Sequence, residues 1–298
     1  MNWSETRQFL TPFFPEEVSA ELEMLLPGEL REIRIRAERP TVFVTASRTA
    51  ALPWKPDRKR LSALAESLSE HSLYARSDET GQGYITLRGG HRMGLCGRVS
   101  SPDRHPVLSD IGSVCIRIAC EWPGCADALL TGNRAEPRSI LLIGPPGSGK
   151  TTLLRDLARQ LSSGRKARQL AVIDERSEIA ACVCGIPQLN VGDNTDVLDN
   201  LAKQDAIPWL VRSMAPEIIV TDELGSDHDA AAVLEAVNCG VAICASAHGT
   251  TLQSAAARPA LAALMSRRVF GLYAILAPEG GGRIAGLFDQ SGSPISLA

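Results

Sequence analysis

Residues 139–152 read SILLIGPPGSGKTT: a short apolar run from Ser139 to Ile143, a turn rich in glycine and proline, then Lys150-Thr151-Thr152. From Gly144 to Thr151 the stretch fits G-x-x-x-x-G-K-[ST]. Its glycines let successive backbone N–H groups face inward, which makes a nest for an anion. The residues that follow, from about Lys150 to Ser162, read as a helix, so its positive end opens onto the nest. A strand before and a helix after are the context this motif requires, and a nucleoside triphosphate is the ligand it suits. The expected contacts with ATP are Gly144, Pro145, Pro146, Gly147, Ser148, Gly149, Lys150, Thr151 and Thr152. Lys150 is expected to reach the β- and γ-phosphates, and the Thr151 hydroxyl to ligate magnesium (Mg2+).

Further apolar strands are expected on the C-terminal side at Gln169 to Ile173, Glu217 to Thr221, Val241 to Ser246, Leu272 to Leu276 and Arg283 to Leu287. Helical patterns lie between several of them. Continuous apolar strands alternating with helices predict an α/β domain over 139–298, with a mainly parallel sheet covered on both faces. Gly280-Gly281-Gly282 reads as a hairpin tip. Residues 1–130 have a different texture and predict a smaller mixed α/β domain. A short helix is expected over Glu16 to Leu26, and strands at Ile33/Ile35 and Val42/Val44. A helix is expected over Leu61 to Tyr74, a hairpin over Gly83 to Val99 with Gly89-Gly90 at the bend, and a strand over Ser113 to Ala119. Thr131 to Arg138 (TGNRAEPR) has the composition of a linker.

Two strand ends carry acids. Glu217-Ile-Ile-Val-Thr-Asp222-Glu223 ends in a pair; the first acid at such a position holds the metal with Thr151, and the second can orient and deprotonate an attacking water. Asp222 is therefore expected at the magnesium ion and Glu223 as the catalytic base. Val172-Ile-Asp174-Glu175-Arg176-Ser-Glu178 is the other acidic end. Glu175 or Glu178 there faces the nucleotide or its metal, unless the cluster is a surface ion-pair group. Ser246-Ala247-His248-Gly249-Thr250 closes a further strand. His248 is a candidate sensor of the γ-phosphate and Ser246 a candidate for placing water; the competing reading is a structural histidine capping a helix from Thr250 to Met265.

Bulk properties limit the alternatives. Among 298 residues, 34 are acidic and 31 are lysine or arginine, so no global basic field exists to hold nucleic acid, and nucleic acid is an unlikely partner. No run of about 18 apolar residues occurs, and the first residues lack the form of a secretory signal, which predicts a cytoplasmic protein. The eight cysteines include no C-x-x-C pair, and reduced thiols are expected rather than a zinc site.

The phosphate loop, the two acidic strand ends and His248, in this order, resemble the secretion and pilus-retraction ATPases, a RecA-like (ASCE) branch of the P-loop NTPases. Within that branch the chain is most similar to the stage III sporulation AA group of endospore-forming bacteria. The resemblance spans nearly the whole length and rests on GPPGSGKTTLLRDLAR (144–159), VIDERSEIA (172–180) and EIIVTDELG (217–225). GYITLRGGHRMGLCGRV (83–99) and IPQLNVGDNTDVL (186–198) add to it. It implies an ATPase on the mother-cell side of the forespore membranes, self-associated into a ring such as a hexamer. Such a ring would energise membrane-embedded sporulation channel proteins without itself inserting in the membrane. In a ring, an arginine among Arg34, Arg36, Arg88, Arg92 and Arg98 is a candidate to act from a neighbouring subunit. The chain departs from the secretion ATPases in carrying Asp222-Glu223 where Gly-Glu is common, and in lacking a paired-cysteine zinc module. Two other readings compete: a nucleotide-gated scaffold with little turnover, and a nucleic-acid motor or loader.

Overall fold

The computed structural model describes residues 3–73, 75–81, 83–100, 107–130 and 138–296. They fall into two units, Met1–Cys120 and Glu121–Ala298.

The first unit begins with helices α1 (Trp3–Leu10) and α2 (Glu16–Met24), followed by strands β1 (Leu30–Arg36), β2 (Thr41–Thr45) and β3 (Thr49–Leu52). Helices α3 (Arg58–Leu68) and α4 (Ser77–Gly81) lead to β4 (Tyr84–Thr86), β5 (Arg92–Ser100) and β6 (Val107–Arg117). Among the described residues the strands form one antiparallel sheet in the order β3-β2-β1-β6-β5-β4. Side chains alternate across a pleated sheet. One face therefore buries Ile33, Ile35, Phe43, Met93, Val114 and Ile116 against Leu10, Val18, Leu22 and Leu61 of the helices. The alternate positions place Arg34, Arg36, Arg92 and Arg117 along one cleft of about 470 Å³. Arg92 lies over the Tyr84 ring at 4.2 Å, and Glu32 pairs with Arg34 at 2.6 Å and with Arg117 at 3.6 Å.

His91, just before β5, is fully buried and stacks on Phe9 at 6.1 Å. Its Nδ1 accepts the Ala119 N–H at 3.0 Å, which fixes the neutral tautomer with the proton on Nε2. Burial lowers its pKa to about 4. The unfolded chain takes up this proton near pH 6.5, so the stabilising contribution is complete above that pH. It is lost as pH falls from about 6.5 to 4, by up to about 3 kcal/mol. Urea midpoints measured between pH 7 and 4.5 should fall more steeply for the parent chain than for His91→Asn, and parallel curves would refute the assignment.

The second unit starts with α5 (Asp127–Leu130) and continues with β7 (Ile140–Gly144), α6 (Lys150–Ser162), β8 (Leu170–Asp174) and β9 (Thr195–Asp199). Then come α7 (Lys203–Ser213), β10 (Ile218–Thr221), α8 (Asp227–Asn238), β11 (Ala242–His248), α9 (Leu252–Ala256) and α10 (Pro259–Ser266). Strands β12 (Leu272–Leu276), β13 (Ile284–Asp289) and β14 (Pro294–Ile295) complete the sheet. Its order is β14-β13-β12-β7-β11-β10-β8-β9, parallel from β12 to β9 and antiparallel at β13 and β14. Strands β7, β8, β10 and β12 are buried along their whole length, as a sheet covered on both faces requires. Helix α6 covers one face through Leu153, Leu154 and Leu157, each burial being worth roughly 1.5–3 kcal/mol. Strand β11 lies between the strand feeding the phosphate loop and the strand ending in Asp222. This is the predicted α/β core with its mainly parallel sheet.

Several local expectations shift. Glu121–Leu130, read as the end of the first domain, belongs to the second unit: Ala126 and Leu129 share a core with Leu153 and Leu157, and the Ala126 N–H donates to Asp156 Oδ2 at 2.9 Å. Of the expected linker, 131–137 lies outside the described residues. The helix expected from Thr250 to Met265 is two helices. Pro259 has no N–H to donate, and Arg258 before it is extended (φ −88°, ψ 123°). The helix expected to reach Tyr74 ends at Leu68, and α1, β3 and β9 are additional elements. Among the described residues no helix is long and apolar enough to cross a membrane. Cys182 and Cys244 are buried, and burial pushes both thiols up to about 12, which leaves them protonated at neutral pH.

Candidate functional site

The phosphate loop joins β7 to α6, and two of its glycines have backbone angles that a side chain would strain: Gly147 (φ +76°) and Gly149 (φ +95°). At Gly149 a Cβ would also collide with the main chain of Gly282. Gly280–Gly282 forms the tip between β12 and β13, and the Gly282 N–H donates to Ser148 O at 3.0 Å. A turn distant in sequence thus braces the loop. Ser148 is buried, and its Oγ has no hydrogen-bond partner.

Lys150 is buried at the start of α6, and its Nζ donates to Gly144 O and Pro145 O, both at 2.9 Å. Burial pushes the ammonium below its ordinary range, while the carboxylates of Asp222 and Glu223 act the other way. One residue on, Thr151 Oγ1 donates to Asp222 Oδ2 at 2.6 Å. The loop and the end of β10, 71 residues apart, are therefore in direct contact.

Strand register explains the next contacts. Thr221 lies opposite Ala245, so Asp222 stands beside Ser246. The Ser246 hydroxyl donates to Asp222 Oδ1, which also accepts the Glu223 N–H at 2.9 Å. On the other side β11 puts His248 opposite Gly144, the first glycine of the loop. Glu223 has a left-handed backbone (φ +44°), a conformation that costs a non-glycine residue about 1–3 kcal/mol. Its carboxylate is held at both oxygens: Oε1 lies 3.0 Å from His248 Nε2, and Oε2 accepts from Arg176 Nη1 at 3.0 Å. His248 Nδ1 is buried without a hydrogen-bond partner. The His248 carbonyl accepts from Arg258 at 3.2 Å.

The acidic end of β8 divides into parts. Asp174 is buried, and its two oxygens accept the backbone N–H groups of Glu178, Ile179, Ala180 and Ala181 at 2.7–3.0 Å. This carboxylate organises its own loop. The loop in turn holds α6, because Arg155 donates to Ile179 O and Glu178 O. Glu175 forms an ion pair with Lys203 of α7. Lys150, Thr151, Asp222, Glu223, Ser246 and His248 thus form one connected group, while Glu175 is engaged with α7. Arg176 was missed by the sequence reading. The signal was present, since β8 neighbours β10 with Ile173 opposite Thr221, but it needs the strand order.

The residues fit a metal-bound triphosphate. A hydroxyl and a carboxylate oxygen in contact are the donors a hard divalent cation takes, and the unpartnered Ser148 hydroxyl lies in the loop itself.

Residues 19–295 match the family described as "Sporulation stage III, protein AA". Stage III sporulation protein AA of Bacillus subtilis (strain 168) is 39% identical over 274 residues, covering 90% of this chain and 89% of that protein. Among solved structures, the pilus retraction motor PilT with bound ADP superposes with a TM-score of 0.58 at 16% identity, covering 87% of this chain and 78% of that one. The ATPase DotB of Legionella pneumophila gives 0.56 at 16% identity, covering 84% and 73%. These two likenesses establish the fold, RecA-like as in secretion and pilus ATPases. The family match and the Bacillus relative, each spanning most of the length, show that the chain belongs to the sporulation stage III protein AA family.

Proposed function

We propose that the chain is an ATPase that works as a ring. It binds ATP with magnesium at Gly144–Thr152 and hydrolyses the γ-phosphate. The hydrogen bond between Thr151 and Asp222 carries the reading, because a hydroxyl and a carboxylate oxygen in contact beside a glycine turn are donors that suit a divalent cation. Bound magnesium would neutralise charge on the β- and γ-phosphates. Gly147 and Gly149 would present backbone N–H groups, Lys150 would turn from the loop carbonyls to the phosphate oxygens, and Thr151 and Asp222 would hold the metal. Glu223 accepts the proton of the attacking water, with His248 and Arg176 fixing its carboxylate. His248, opposite Gly144, registers whether a γ-phosphate is present. Glu175 enters as the acid beside Arg176, its own carboxylate held by Lys203. An arginine from a neighbouring copy, drawn from the cleft of the first unit, stabilises the charge that develops.

In the cell the ring would be cytoplasmic, on the mother-cell side of the forespore membranes. Its work would go to membrane-embedded channel proteins of the sporulation apparatus. Light scattering with and without ATP and magnesium, run beside phosphate release, tests the reading. Nucleotide-dependent assembly together with turnover is the expected result. Assembly without phosphate release would make the chain a nucleotide-gated scaffold, and an unchanging monomer would remove the ring.

A further inference from the structure

We infer that Trp122 is the stacking platform for the base of the bound nucleotide, and that the cleft between the 121–123 turn and the start of α6 is the base subsite. The inference rests on the triphosphate reading and adds the part of the ligand that the loop does not touch. Thr152, the last loop residue, opens onto a shallow cleft lined also by Glu121, Trp122, Pro123, Arg155 and Asn190. A triphosphate laid with its γ end toward Asp222 and Glu223 runs its α end past Thr152, so ribose and base emerge there. Trp122 is 56% exposed. A large ring left in water beside a phosphate site, with a proline as neighbour, is a surface that a flat heterocycle covers favourably.

The platform is fixed rather than loose. The Cys125 N–H closes a turn onto Trp122 O at 3.2 Å, and Cys125 Sγ contacts Thr152 O at 3.7 Å. The Ala126 N–H is held by Asp156 of α6, and Glu121 accepts the Asn190 N–H at 2.6 Å. The 121–126 turn is therefore strapped to the helix that carries the phosphate loop, and the ring keeps its place relative to Thr152.

Calorimetric titration of the full chain with ATP and, separately, with inorganic tripolyphosphate separates the two halves of the ligand. Trp122→Ala should weaken ATP by about tenfold to a hundredfold. It should leave tripolyphosphate within about twofold, and Trp122→Phe should recover most of the loss. Intrinsic fluorescence should be quenched by ATP in the parent chain and not in Trp122→Phe. Unchanged ATP affinity in Trp122→Ala would overturn the proposal. So would an equal loss for both ligands, since that marks a damaged fold rather than a lost base contact. If the parent chain bound neither ligand, the triphosphate reading itself would fall, and the platform with it.

Discussion

Replacing Glu223 by glutamine is expected to lower steady-state ATP hydrolysis by about 10²–10⁴-fold while ATP affinity changes little. The expectation follows from what surrounds the carboxylate. Glu223 sits in a left-handed backbone next to Asp222, and its two oxygens are engaged by His248 and Arg176. Its partners, His248 and Arg176, orient a carboxylate that can receive a proton. Glutamine preserves size and one acceptor oxygen but cannot take a proton from water, so the chemical step suffers and binding does not. Single-turnover phosphate release with tightly bound ATP is the measurement. A glutamine variant that turned over at the parent rate would remove Glu223 from the role of base.

The second large effect is on binding. Lys150→Ala should weaken ATP–magnesium affinity by about a hundredfold, since a bond to a charged group is worth roughly 1.5–3 kcal/mol and more than one phosphate oxygen is served. The gain in the parent would be a difference: the ammonium would give up its bonds to Gly144 O and Pro145 O in turning to phosphate. Lys150→Arg should not restore affinity, because a planar fork cannot replace a compact ammonium seated between two carbonyls. Equilibrium titration settles it, and an alanine variant within about threefold of the parent would overturn the assignment.

The part of the site that sequence alone revealed is the part built locally. The apolar run before Gly144 and the helix after it are neighbours along the chain, so the nest and its Lys150-Thr151 pair could be read directly. Asp222 was legible for the same reason, as an acid ending a buried strand. Contacts that depend on strand order were not legible. Ser246 reaches Asp222 only because β11 lies beside β10, and Arg176 reaches Glu223 only because β8 lies on the other side. Asp174 was grouped with Glu175 by adjacency. Alternation sent the first carboxylate inward to four amides and the second toward Lys203. The break at Arg258-Pro259 was visible in the sequence as a proline inside an apolar periodic run, and there the proline's missing donor outweighed the periodicity.

Gly149 and Gly282 approach main chain to main chain, and this gives the proposed grip on phosphate a place in time. The residues that would embrace the nucleotide leave the ribosome more than a hundred positions ahead of the turn that steadies them. Until that turn has been synthesised and β12 has lined up beside β7, the nest lacks its outer support. If the chain binds nucleotide as proposed, a competent pocket would be one of the last features to mature during translation, and an unfinished chain would hold nucleotide poorly.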